Sequence, residues 1–482
     1  MNPRPNILLF LMDGLQASAL EPGSACITPT FDKFRAGGLA FNRAYTTTPT
    51  CSPARASLMT GLLPHNHGVL EVEHGRDADQ CVLRTDKPHW AQRLCASGYR
   101  TAYLGKWHIE RTNDLAPFGW DIDEGKAAEH HQFLGQGKDG GADLPIDPAL
   151  SRHVEGPEGY NQLLHYGVTD VPPAERYPAH TVNQAIAVLD EFKKTEAPWC
   201  ACVSFSEPNE SLVVSRETFE KYDAAAMPLP ENLNDDLSGR PNLYQRQRKI
   251  SAGVTDDEWR MARTCYFGRV TELDAEFARL MAHLESTGAL SDTLVIVTAD
   301  HGRYVGAHGW DAHNFGPFEE IYRIPLIVSG PGIAMAAETN AYVSLIDLCP
   351  TLLELTGNEP FDIPDSKSIA PLLANPKEHE ASFKTAYGEY HGTRFNLTQR
   401  ILWQGDWKFA FNGFDFDELY NLRDDPHEMT NLIDRPEHAE RIRDMMADIW
   451  KIVRDTADRA IEETHYYSMR MACVGPNVNV EK

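Results

Sequence analysis

Short runs of mostly apolar residues punctuate the chain at Ile7–Met12, Thr101–Leu104, Trp199–Phe205, Leu294–Thr298 and Leu326–Val328. Each has Gly, Pro or Asp at or near an end, which predicts short strands buried on both faces of a parallel sheet. Between them, apolar residues at three-to-four spacing predict helices over Thr181–Lys194 and Glu258–Thr287, the second closed by Gly288. Thr28–Gly37 opens with a cap followed by Pro29, and His89–Ser97 precedes Gly98, so both read as shorter helices. Strands alternating with helices imply the α/β class: a large, mainly parallel sheet sandwiched by helices. Gly119–Ala179 and Asn232–Asp256 are polar and aperiodic, and predict long loops over a site or insertions. After about Asn375 the texture changes. Thr385–Tyr390, Gln399–Leu402, Trp407–Phe411 and Glu418–Asn421 read as antiparallel strands, followed by helical stretches from Glu437 to Thr464. The expected organisation is a catalytic α/β domain over 1–374 and a smaller C-terminal α+β subdomain over 375–482.

Composition alters this picture little. The 482 residues are 42% hydrophobic and 24% charged, with a formal net charge of −25. That acidity argues against nucleic acid as a partner. Ile7–Met12 is too short for a signal sequence or a membrane span, and no run approaches the ~20 apolar residues of a spanning helix. A cytoplasmic protein without membrane contact is expected. Nine scattered cysteines without a CxxC pair suggest neither a disulfide framework nor a zinc ribbon.

Four segments carry chemistry. Cys51-Ser-Pro-Ala-Arg55-Ala-Ser-Leu-Met-Thr-Gly61 reads as a turn leading into a helix. Asn6–Asp13 is a buried strand that ends in a carboxylate, and Leu294–Thr298 runs into Ala299-Asp300-His301-Gly302. Open α/β sheets place ligands at such strand ends, and two carboxylates with a histidine suit a divalent cation. Each aspartate read alone is a helix cap. Gly105-Lys106-Trp107-His108 follows another strand and places a lysine and a histidine at the same kind of edge.

The eleven-residue string from Cys51 resembles the sulfatase signature, in which a maturation enzyme oxidises the cysteine to formylglycine (3-oxoalanine). The resemblance runs along nearly the whole chain and places it in the alkaline phosphatase superfamily. It implies that Cys51, as an aldehyde hydrate, attacks the sulfur of a small anionic sulfate ester with one hydroxyl and ejects sulfate with the other. It also implies Asp13, Asp300, His301 and the modified Cys51 as metal ligands. Calcium is the expected ion, with manganese and magnesium as alternatives. By the same resemblance Arg55 and Lys106 hold the hydrate and the sulfate oxygens, and His108 manages a proton.

The chain departs from the family pattern in three places. Gly14 stands where a second acidic or amide ligand usually follows the first aspartate. Asn209 stands where a proton-donating histidine is usual; Glu207 and Glu210 are the nearest carboxyl groups. His313 or Asn314 stands near the usual lysine. His313, His308 and Asn209 are therefore the expected substrate-binding residues. His65, His67 and His74 could line the cleft, and Glu71 and Glu73 could recognise a cationic part of the substrate. Two further readings stay open: a phosphonate monoester or phosphodiester hydrolase with the same machinery, and a non-catalytic binding protein on this scaffold. The apolar tail around Met469–Gly475 suggests a homo-oligomer.

Overall fold

Ile7 to Met12 are fully buried because the strand they form, β1 (Asn6–Asp13), lies inside an eight-stranded sheet with parallel neighbours on both sides. The computed structural model describes residues 4–73, 87–112, 114–123, 144–154, 162–209, 211–392, 397–462 and 471–478. One neighbour of β1 is β7 (Trp199–Pro208), followed outward by β3 (Arg100–Gly105) and β4 (Ile122–Asp123), all parallel. The other is β9 (Thr293–Ala299), beyond which lie β10 (Leu326–Ser329), β2 (Leu39–Tyr45) and β11 (Ala337–Ser344). Helices Tyr177–Phe192 and Asp256–Thr287 pack on the sheet where the apolar spacing predicts them. The longer one begins with a capping box at Thr255 and Glu258 and ends at Gly288 in the left-handed conformation.

The register brings the strand ends together. Met12 lies beside Ala299, Asp13 beside Pro208, and Gly105 beside Ser204. Asp13, Asp300, Asn209 and Lys106 therefore all emerge at the C-terminal edge of adjacent parallel strands, where this architecture leaves a crevice. Lys106 follows Gly105, whose φ of +92° and close approach to the Ser204 carbonyl leave no room for a Cβ.

Three expectations change. β10 is antiparallel to both β9 and β2. Residues 300–325 contain only a short 3₁₀ turn and the four-residue helix Glu319–Tyr322, so the chain turns back instead of crossing the sheet. Gly119–Ala179 is also not all loop. Besides β4 it contains β5 (Ile146–Val154) and β6 (Leu163–Thr169), which form a three-stranded sheet with β8 (Val213–Ser215). β5 is half exposed and shifts register twice against β6, so its residues carry no clean alternation. In the second expected loop, Asn242–Arg248 is helical.

The C-terminal sheet has the expected strands: β12 (Thr385–Tyr390), β13 (Gln399–Gln404), β14 (Trp407–Phe411) and β15 (Glu418–Asn421), all antiparallel. Helix Ala439–Asp455 buries Ile442, Met445, Met446, Ile449 and Trp450 against it. Trp403 of β13 packs on Tyr45 of β2 with ring centroids 4.6 Å apart, so the two sheets share a core.

A polar link adds to this contact. His65 Nδ1 lies 2.6 Å from Glu389 Oε1, with Arg400 bound to Asp458 alongside. Burial alone would lower the His65 imidazole, but Glu389 and then Asp458 outweigh it and raise it to about 9. A folded pKa above the unfolded value of ~6.5 stabilises fully below pH ~6.5 and is lost as pH rises through the folded value. H65Q should therefore lower Tm at about pH 6, and most of the deficit should vanish by about pH 10 in thermal melts.

Candidate active site

Cys51 opens a ten-residue helix, Cys51–Thr60, every residue of which is buried. Arg55 lies one turn later on the same face, so the segment delivers both side chains to the strand edge together. The Arg55 guanidinium bridges the two strand-end acids: Nε is 2.7 Å from Asp300 Oδ2 and Nη2 is 3.1 Å from Asp13 Oδ2. Its remaining nitrogen donates to the Lys106 carbonyl and the Ser204 hydroxyl, both at 2.8 Å. Lys106 Nζ is 2.5 Å from the same Asp13 Oδ2.

With the Oδ2 atoms held by cations, the Oδ1 atoms take other partners. Asp13 Oδ1 lies 3.8 Å from both Cys51 Sγ and His301 Nε2, and Asp300 Oδ1 lies 3.7 Å from His301 Nε2. Cys51 Sγ is 3.1 Å from His301 Nε2. His301 Nδ1 is 2.8 Å from the Gly302 carbonyl; it donates there, which leaves the Nε2 lone pair facing the centre. Ligand atoms of Asp13, Cys51, Asp300 and His301 all lie within 4.8 Å of one another, and all four residues are buried. Two carboxylate oxygens, one imidazole nitrogen and an atom at position 51 fit a divalent cation. With Nδ1 bound to a carbonyl, His301 Nε2 is the nitrogen that would face such a cation.

The electrostatics set what these groups can do. Burial, then the Asp13 charge, push the Cys51 thiol well above its usual range, so it stays protonated. Burial would raise Asp13, but Lys106 and Arg55 hold it well below the usual carboxylate range. Asp300 is raised by burial and by Asp13, a repulsion that a cation between them would relieve.

Residues 5–358 match the sulfatase family model, and residues 306–455 match that for the C-terminal part of N-sulphoglucosamine sulphohydrolase. The chain belongs to the sulfatase family. It is a sulfuric ester hydrolase, which sets aside a purely ligand-binding role. A choline-sulfatase of Rhizobium meliloti (strain 1021) is 28% identical over 499 residues, covering 96% of this chain and 89% of the relative. Two solved structures share the fold. The phosphonate monoester hydrolase SpPMH from Silicibacter pomeroyi aligns with a TM-score of 0.76 and 22% identity, over 96% of this chain and 98% of its own. BT4656, solved in complex with its substrate D-glucosamine-2-N,6-O-disulfate, aligns with a TM-score of 0.74 and 21% identity, over 94% and 98%.

Around this sulfatase's central cluster, Asn209 and His313 join the group. Asn209 Nδ2 lies 2.5 Å from Asp13 Oδ1 and 3.3 Å from His313 Nε2. His313 stacks on His301 with centroids 4.2 Å apart, and its Nδ1 is 3.1 Å from the Pro49 carbonyl. Burial, then His301, hold the His313 imidazole well below its usual value, so it is neutral there. A Cβ on Gly14 would meet the Asn209 side chain at 3.0 Å, so Asn209 fills the space next to Asp13 that a larger residue 14 would take.

His308 is not brought to the cluster by its contacts. Its Nδ1 is 2.7 Å from Asp235 Oδ2, its Nε2 is 3.0 Å from Asn232, and its ring stacks on Phe318. The left-handed turn at His308 (φ 54°) aims it into this second polar group. His108 has φ 53° and lies 3.6 Å from Glu73 Oε1, while the Glu73 backbone binds the Ser52 hydroxyl at 3.0 Å. Glu73 also binds Arg111 at 3.0 Å, so its buried carboxylate is engaged within the protein. Glu207 pairs with Arg269 at 3.1 Å. His65 and His67 lie toward Glu389 and Ser57. His74, Glu210 and Met469–Arg470 of the tail fall outside the described residues. The sequence did not single out Arg303, whose Nη1 donates to Asn209 Oδ1 at 2.8 Å; only its position two residues after His301 marked it.

The donor set predicts metal-dependent stability. Calcium at about 100-fold over its Kd should add about 2.7 kcal/mol of stability, seen as a rise in Tm that a chelator reverses. D300N should lose that rise. An equal rise in D300N would contradict the assignment.

Proposed function

We propose that this sulfatase hydrolyses a sulfate monoester to an alcohol and inorganic sulfate, using Cys51 after its oxidation to formylglycine. The observation that carries this reading is a fully buried, protonated Cys51 thiol placed against Asp13, Asp300 and His301. Such a thiol is a poor nucleophile. Its hydrated aldehyde would supply two hydroxyls, one to attack sulfur and one to expel sulfate as the aldehyde re-forms. The maturation enzyme expected for the Cys51–Gly61 string would be the partner that installs it.

Asp13, Asp300, His301 and the oxygen at position 51 would hold the cation, calcium by family resemblance, with manganese or magnesium as alternatives. A bound cation supplies charge stabilisation and favours the ionised hydroxyl. Arg55 helps keep Asp13 ionised and turns both acids toward the centre. Lys106, on the Asp13 side of the cluster, is the group we assign to the sulfate oxygens. His108, oriented by Glu73, takes the proton of the second hydroxyl as that oxygen re-forms the aldehyde and sulfate leaves. Asn209 offers the ester a hydrogen bond but no proton. His313, neutral and with its Nε2 lone pair inward, serves as a wall and acceptor. We assign no substrate contact to His308. The eight cysteines among the described residues are all unpaired, which fits a reducing cytoplasm.

The relative named choline-sulfatase and the neighbour bound to a disulfated sugar support a sulfate ester. The similarity to a phosphonate monoester hydrolase keeps a phosphonate or phosphodiester substrate as the second reading. Rates of the matured enzyme on an aryl sulfate and an aryl phosphonate, measured side by side, separate them. Sulfate turnover should lead, and faster phosphonate turnover would contradict the proposed substrate class. C51A should abolish turnover without changing the melting curve by more than about 1 kcal/mol. C51S should accumulate a sulfated serine by mass spectrometry, since serine has no second hydroxyl to expel sulfate.

A further inference from the structure

The Asn209 carboxamide has two ends of similar shape, an oxygen that only accepts and a nitrogen that only donates. Which end faces the reacting centre decides what position 209 can do. Its inward atom lies 2.5 Å from Asp13 Oδ1, 3.3 Å from His313 Nε2 and 4.0 Å from Cys51 Sγ. Asp13, paired through Oδ2 with Arg55 and Lys106, presents Oδ1 as an acceptor. His313 spends its Nδ1 proton on the Pro49 carbonyl, so its Nε2 accepts too. The outward atom faces Arg303 Nη1 at 2.8 Å, and a guanidinium only donates. The neighbours on both sides therefore select the nitrogen-inward orientation.

Arg303 is itself held. It is 4% exposed, and its Nη2 lies 3.2 Å from Asp311 Oδ1. The other Asp311 oxygen lies 3.1 Å from His165 Nδ1 on β6. Gln16 donates to the Arg303 backbone carbonyl and, at 3.0 Å, to that of Tyr304. On the opposite side, Gly14 leaves the space that the carboxamide fills.

We infer that Arg303 is a positioning residue: with Asp311 and His165 behind it, it locks the Asn209 carboxamide nitrogen-inward beside Asp13 and Cys51. What that donor serves rests on the reading under Proposed function; the orientation does not. With its two N–H bonds directed at Asp13 and His313, the nitrogen can pass the longer, His313-side one to negative charge growing on the ester oxygen without the carboxamide turning over. An unanchored carboxamide could instead turn its oxygen, and its lone pairs, toward that charge. Since no proton moves from position 209, this device favours substrates whose departing oxygen is weakly basic.

The orientation is read by NMR on the full-length protein labelled with [15N]asparagine, the Asn209 carboxamide signal being identified by its loss in N209A. R303M should shift that signal and speed its hydrogen exchange, D311N should do so partway, and R303K should stay nearer wild type. An unchanged signal in a folded R303M protein overturns the inference, whatever the activity. If R303M melts below the working temperature, the D311N signal decides in the same way. The consequence is read by a double-mutant cycle on aryl sulfates of graded leaving-group basicity. R303M should lower kcat/KM for the most basic leaving group by about tenfold or more, and for the least basic far less. Added to N209A, R303M should change kcat/KM by less than about twofold. Losses that multiply would mean that Arg303 does not act through Asn209. A wild-type enzyme inactive on every sulfate ester would sink the functional reading and leave the NMR result to judge the orientation.

Discussion

Arg55 lies between Asp13 and Asp300 with no exposure to water, and the rest of the site takes its geometry from that contact. Two carboxylates this close and this deeply buried would repel, and one would take up a proton. A planar guanidinium that binds an oxygen of each offsets part of that pressure and fixes both rotamers. It also decides which oxygens remain for the centre. Removing one member of such a buried pair costs about 3–5 kcal/mol, because the partner charge is left behind. Arg55 and Cys51 are separated by one helical turn, so any shift of the Cys51–Thr60 helix moves Cys51 and the clamp together.

The sheet supplies the second constraint. Parallel strands β1, β7, β9 and β3 end at one edge, so residues far apart in sequence meet without a long loop having to be ordered. Lys106 reaches this edge because Gly105 turns the chain where only glycine fits. Asn209 reaches it because Gly14 leaves space beside Asp13. Position 14 and position 209 thus share one volume: the missing acidic group after Asp13 and the unusual carboxamide after β7 are two sides of a single local arrangement.

Much of this was legible in the chain. The apolar runs fixed β1, β3, β7 and β9 because strands buried on both faces leave a periodicity that needs no context. The acids and histidine at their ends could then be placed on one edge by topology alone. β10 showed the limit: its residues predict a buried strand, but its direction depends on whether the preceding segment crosses the sheet, which composition does not encode. β5 escaped because a half-exposed, bulged strand has no clean alternation. His308 turns to Asp235 for a related reason. A histidine three residues into a glycine-rich turn can aim either way, and a left-handed backbone at that residue sends it to Asp235. Arg303 was invisible because a single arginine carries no pattern, and its meaning lies in the Asn209 carboxamide it faces across 94 residues of sequence.

The proposed chemistry depends on the identity of the group at position 51 in the working enzyme. Mass spectrometry of the peptide carrying Cys51, taken from protein whose turnover has been measured in the same preparation, tests it most directly. The aldehyde or its hydrate should be present, and specific activity should rise in proportion to its fraction. A preparation that holds only the free thiol and still cleaves a sulfate ester at full rate would contradict the account.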